Sequence, residues 1–247
     1  MNLSFKTIAR ENFIKSTFIL LFLSFFISCS EKKTAPVHIN FNEDWKFIQE
    51  NVQAAVNPNY NDSSWETIKV PHDWSIKGPF SKDNPSFSRG GWLPTGKSTY
   101  RKTFNVNANE KDGKVFIYFD GAYRNSIVYI NGVKVGYRPM GYIGFEYDLT
   151  KHINFDKKNV LTVTLDNSEQ PGSRWYTGTG LYRDVTLKIK QKTFIPNWSL
   201  YVTTPKISKE KATVNATFNL ETEYAVKQEI VAVTSVLKEG LVVSSSE

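Results

Sequence analysis

The chain is almost free of cysteine, with Cys29 the only one in 247 residues. One thiol cannot close a disulfide within the chain, so a folded domain here must draw its stability from a hydrophobic core. Histidine is nearly as scarce. His38, His72 and His152 lie far apart, and no metal-ligand spacing is present. There is no G-x-S-x-G elbow, and helical periodicity is almost missing. The net charge of +7 is modest, with basic residues scattered among acidic ones rather than gathered into an arginine-rich stripe. These absences argue against a disulfide scaffold, a zinc module, an α/β-hydrolase and a nucleic-acid footprint. No metal, cofactor or nucleic-acid partner is expected.

What is present begins with a leader over residues 1–28. Lys6, Arg10 and Lys15 precede the apolar run FILLFLSFFI at residues 18–27. Roughly ten apolar residues are too few to cross a bilayer as a helix and suit a signal-peptide core. The run ends at ISCS, which resembles a bacterial lipoprotein processing site with Cys29 as the lipidated residue. Phe26, three places earlier, departs from that pattern, and the alternative is a secretory signal in which Cys29 is incidental. SEKKTAP at residues 30–36 then belongs to a tether over residues 29–37. The expected location is exported, in the periplasm or anchored to the outer membrane of a bacterium, with membrane contact only through the lipid.

Period-two alternation dominates the rest. KVFIYFDG at residues 114–121 reads as a strand buried on both faces. SIVYINGVKVG at residues 126–136 reads as a hairpin about Asn131-Gly132, since both turn positions must accept positive φ. STYRKTFNV, NVLTVTLDN and RDVTLKIK are further strands. Short strands with no helical pattern between them predict an all-β fold: a jelly-roll-like antiparallel β-sandwich over residues 38–190. SLYVTTPKI, KATVNATFNLETE and QEIVAVTSVLKEG, three strand-like runs in residues 191–247, predict an incomplete immunoglobulin-like β-sandwich. A full one needs roughly 100 residues.

Candidate chemistry is thin. GTGLYR suggests a dinucleotide loop, but it lacks a third glycine and runs into a strand. Glu146 and Asp148 in FEYDLT share a strand face, as paired carboxylates would; the favoured reading is an edge pair that bonds backbone or caps the turn at Thr150. Aromatics are instead abundant between strands, in PHDWSIKGPF (71–80), RGGWLPTG (89–96) and GSRWYTGTGLYRDV (172–185). Trp and Tyr rings pack on sugar C–H faces while Asp, Asn and Arg bond hydroxyls. The competing reading makes Trp74, Trp92 and Trp175 plugs over the ends of the core.

FNEDWKF (41–47), DSSWETIKVPHDWSIKGPF (62–80), YRKTF (100–104), FDGAYRNSIVYINGVKVGYRPMGYIGFEYDLT (119–150) and NSEQPGSRWYTGTGLYRDV (167–185) follow in the order found in glycoside hydrolase family 2. The chain resembles its β-galactosidase-like members from about residue 38 onward. The resemblance implies a longer protein in which a jelly-roll and an immunoglobulin-like sandwich precede a (β/α)8 barrel. That barrel would bear the acid/base and nucleophile glutamates of a retaining exo-β-glycosidase, most simply a β-galactosidase. Both glutamates would lie beyond Glu247, so this chain is expected to be non-catalytic alone and to partner the barrel absent from it. Alternatives are a stand-alone carbohydrate-binding module and an inactive truncated remnant. The resemblance also implies substrate-binding roles for Arg174 and Asp73 toward a terminal β-galactoside or related β-glycoside. It leaves Trp175, Gly178 and Gly180 as loop architecture, and residues 119–132 as sandwich core.

Overall fold

A computed structural model describes residues 36–225 and 229–246 of the chain. The apolar leader and Cys29 lie outside the described residues.

Ten strands build a two-layer sandwich. One layer has six, in the order β3 (Glu66–Ile68), β2 (Trp45–Ile48), β4 (Lys97–Asn105), β9 (Lys158–Asp166), β6 (Ser126–Ile130), β7 (Val133–Arg138). The other has four, in the order β1 (Val37–Asn40), β10 (Val185–Lys190), β5 (Lys114–Phe119), β8 (Phe145–Asp148). The strands of both layers pair antiparallel. Alternation explains why β9 can be the middle of its sheet: Leu161, Val163 and Leu165 face the second layer, and Thr162 turns away to donate to Ala55 O at 3.3 Å. Opposite them lie Val115, Ile117 and Phe119 of β5 with Val185, Leu187 and Ile189 of β10. Fully burying each such side chain contributes about 1.5–3 kcal/mol.

The Asn131-Gly132 turn forms as its dipeptide requires, with φ of 49° and 88°. Asn131 also donates to His152 O and Asn159 Oδ1 and accepts from Val160 N, so the turn residue stitches the β6 hairpin to the start of β9 and to the segment before it.

Glu146 and Asp148 are engaged in ion pairs. Glu146 meets Lys188 at 3.0 Å and Lys190 at 3.2 Å, and accepts from Asn197 Nδ2 at 2.7 Å. Asp148 accepts from Thr150 N, the turn cap the spacing predicts, and pairs with Lys114 at 2.9 Å. Burial pushes the Asp148 carboxyl up, but bonds from Thr150 and Lys114 outweigh it and hold the group below its ordinary value. The two lysine ammonium groups of β10 also lie over rings, Lys188 4.1 Å from Tyr118 and Lys190 4.5 Å from Phe116. Segment 193–198 is laid on this face through Phe194 against Phe116 and Trp198 against Tyr118.

Beyond it come three antiparallel ladders: β11 (Thr193–Phe194) with β14 (Glu221–Thr222), β12 (Tyr201–Ile207) with β13 (Ala212–Thr217), and β15 (Thr234–Lys238) with β16 (Leu241–Ser246). The last run differs from expectation. Residues 229–233 form no strand and only Thr234–Lys238 does, after which Glu239 and Gly240 take positive φ at the end of the run and turn the chain into a second strand.

Candidate functional site

Four connections meet at one end of the sandwich: residues 69–96 before β4, 120–125 between β5 and β6, 139–144 between β7 and β8, and 167–184 between β9 and β10. Backbone bonds lace them. His72 N donates to Leu181 O at 2.7 Å, Tyr123 and Gly180 exchange both of their backbone bonds, and Asn167 N donates to Gly96 O. Tyr182 reaches across to donate its hydroxyl to Gly141 O at 3.0 Å. A rigid sandwich thereby presents a rim of ordered loops.

Glycine is required at Gly180. Its φ is 108°, and an added Cβ would collide with the Tyr100 hydroxyl and stand 2.8 Å from His72 O. Gly178 also has positive φ, at 84°. Both shape the loop, as expected from the sequence.

Asp73 and Arg174 end in opposite states. Asp73 is half-buried and accepts from the Tyr176 hydroxyl at 2.5 Å, with further bonds from the backbone N–H groups of Ser75, Thr179 and Ile76. Its carboxyl is pushed up by burial, against the pull of those bonds. Burial and the neighbouring carboxylate push the Tyr176 phenol up as well, so it stays a donor through neutral pH. Asp73 therefore staples the 71–80 loop to the 172–185 loop. Arg174 is exposed and makes no hydrogen bond or ion pair with any described residue. It is a free guanidinium fork at the rim.

The tryptophans divide. Trp74 is 4% exposed and is a plug, whereas Trp175 is 62% exposed and is none. Trp175 instead edges a cleft of about 420 Å3 whose walls include Tyr123, Arg124, Asn125, Tyr142, Glu169 and Ser173. Residues 119–132 are thus core only in part, because the chain leaves β5 of the four-stranded layer after Phe119 and crosses to the six-stranded layer, where β6 begins at Ser126. The cleft residues come from three separate segments, and only the surplus of rings in the 172–185 loop signalled it in the sequence.

The family described as glycosyl hydrolases family 2, sugar binding domain, matches residues 38–191. A β-galactosidase of Bacteroides ovatus is 45% identical over 198 residues, which cover 79% of this chain and 23% of that protein. A β-glucuronidase of Formosa agariphila is 32% identical over 244 residues, covering 89% and 24%. Among solved structures, a β-glycosidase from Bacteroides vulgatus superposes with a TM-score of 0.77 at 37% identity, over 85% of this chain and 27% of that one. A family 2 β-glucuronidase gives 0.79 at 32% identity, over 87% and 25%. The chain spans about a quarter of the length of these relatives. With its sandwich, its laced loop rim and a family match running from the first strand to the end of the tenth, the chain belongs to glycoside hydrolase family 2.

Proposed function

We propose that this chain is the N-terminal, non-catalytic portion of an exported retaining exo-β-glycosidase that removes terminal β-galactosyl units. Cys29 carries the lipid that anchors it in the periplasm or at the outer membrane. The observation that carries the reading is the 45% identity to a β-galactosidase across most of this chain. A β-glucuronidase reading has support in the other relatives, at 32% identity. In this proposal residues 38–190 form the jelly-roll domain, residues 191–247 open the second sandwich, and a barrel bearing both catalytic glutamates follows. The rim faces that barrel.

Arg174 is the group offered to the terminal sugar. Its side chain is not engaged within the described residues, and a planar fork of donors suits ring hydroxyls or a carboxylate. Asp73 supports it from the adjoining loop, where its bond to Tyr176 fixes the segment that bears Arg174; in this reading the same carboxylate is a second substrate-binding group.

The test is hydrolysis by the product of the uninterrupted reading frame that contains this chain. It should release galactose from the non-reducing end of β-galactosides with retention of configuration, and release glucuronate from β-glucuronides far more slowly. A frame that closes after residue 247, or a longer product inert on both sugars, refutes the enzyme reading in favour of a binding module or a remnant.

A further inference from the structure

The cleft beside Arg174 is built differently from the rim around it. One side is aromatic and open: Trp175 is 62% exposed and Tyr142 is 43% exposed, in a fold with ample core to bury rings. Both rings line the same cleft, and the Tyr142 ring packs on Tyr123 at 5.2 Å. The other side is polar and preset. Arg124 donates from one amino nitrogen to Glu169 O at 2.8 Å and Glu169 Oε2 at 3.1 Å, while its Nε is buried and has no partner. Asn125 is held between Tyr137 and Asp166 O. Gly141 packs so close to the Tyr123 ring that a Cβ there would overlap it, which keeps this wall thin.

We propose that this cleft binds a neutral pyranose: the sugar on the leaving-group side of the bond whose terminal unit meets Arg174. Ser173 and Trp175 both line the cleft and flank Arg174 in sequence, so the two sites share one loop. A ring with an exposed edge offers a platform for a sugar's C–H face, and fixed side-chain donors and acceptors opposite it suit hydroxyls. Arg124 and Glu169 neutralise each other, so the walls carry no net charge to recruit an acidic ring. A volume of about 420 Å3 falls within the range that holds small ligands. The identity of the ligand as a glycoside rests on the enzyme reading above, whereas the cleft itself rests on these contacts.

The test titrates the 247-residue chain with lactose and with cellobiose, followed by calorimetry and by the indole N–H resonances. Millimolar binding is expected, centred on Trp175. Trp175→Ala should weaken it at least tenfold and Trp175→Phe by less, while Trp198→Phe, on the far face, should leave it within twofold; unfolding curves check that each variant folds. Glu169→Gln keeps the bond from Arg124 to the backbone O of residue 169 but leaves the Arg124 charge without a counter-ion, and should shift preference from lactose toward a disaccharide carrying glucuronate. Absence of binding by either disaccharide, or binding unaltered by Trp175→Ala, overturns the proposal. Loss of hydrolysis by the longer product with this binding intact would refute the enzyme reading alone.

Discussion

Two side chains on adjoining loops, Asp73 and Arg174, share a resemblance-based role but live in opposite surroundings. Asp73 spends its carboxylate on Tyr176 and on backbone N–H groups, and Arg174 spends its guanidinium on nothing within the described residues. His72, next to Asp73, adds a pH dependence. Its Nδ1 lies 3.0 Å from the Tyr100 hydroxyl, its Nε2 is buried without a partner, and burial holds its pKa below the ordinary value of 6.5. The folded state thus favours the neutral ring. The unfolded chain takes up its proton near pH 6.5 while the folded chain still excludes it, so this stability is full above 6.5 and declines as pH falls toward the folded pKa. The expected result is a melting temperature that drops below pH 6.5, with a shallower drop in His72→Gln. Equal slopes in the two proteins would show that another group governs the acid limb.

At the scale of elements, β8 and β10 are joined by more than their shared sheet. Glu146 sits between Lys188 and Lys190 with all three side chains at most 10% exposed, and Asn197 closes the group from the following segment. Removing the acid strands two buried cations, so Glu146→Ala should destabilise the sandwich by about 3 kcal/mol. That lowers the melting temperature by on the order of 10 °C. A loss under about 1 kcal/mol would mean that water solvates the lysines.

The strands themselves were legible, because period-two runs and the Asn131-Gly132 turn act locally. The Asp148 cap was legible for the same reason. The Glu146 partners were not, since Lys188 and Lys190 approach it only through β5, a strand that separates β8 from β10. Nor was the start of the last expected strand, since residues 229–233 alternate as smoothly as Thr234–Lys238 yet only the latter pair with β16. Trp74 and Trp175 look alike as loop tryptophans, yet burial depends on which loop lies above each, and sequence spacing does not carry that.

At the scale of the molecule, the chain is a sandwich with one chemically prepared end and a run of ladders whose apolar residues, Tyr201, Ile207, Leu241 and Val243 among them, face outward. Its relatives are about four times as long, and the proposal places the reacting carboxylates in the remainder. In that proposal this chain contributes positioning and recognition, with Arg174 for the terminal sugar and the Trp175 cleft for the unit behind it. The most direct measurement is kcat/KM of the longer product and its Arg174→Ala variant on a terminal β-galactoside. A charged donor lost at the sugar predicts a fall of about 10- to 100-fold, with Arg174→Lys recovering little because an ammonium lacks the fork. An unchanged kcat/KM in Arg174→Ala would contradict the account.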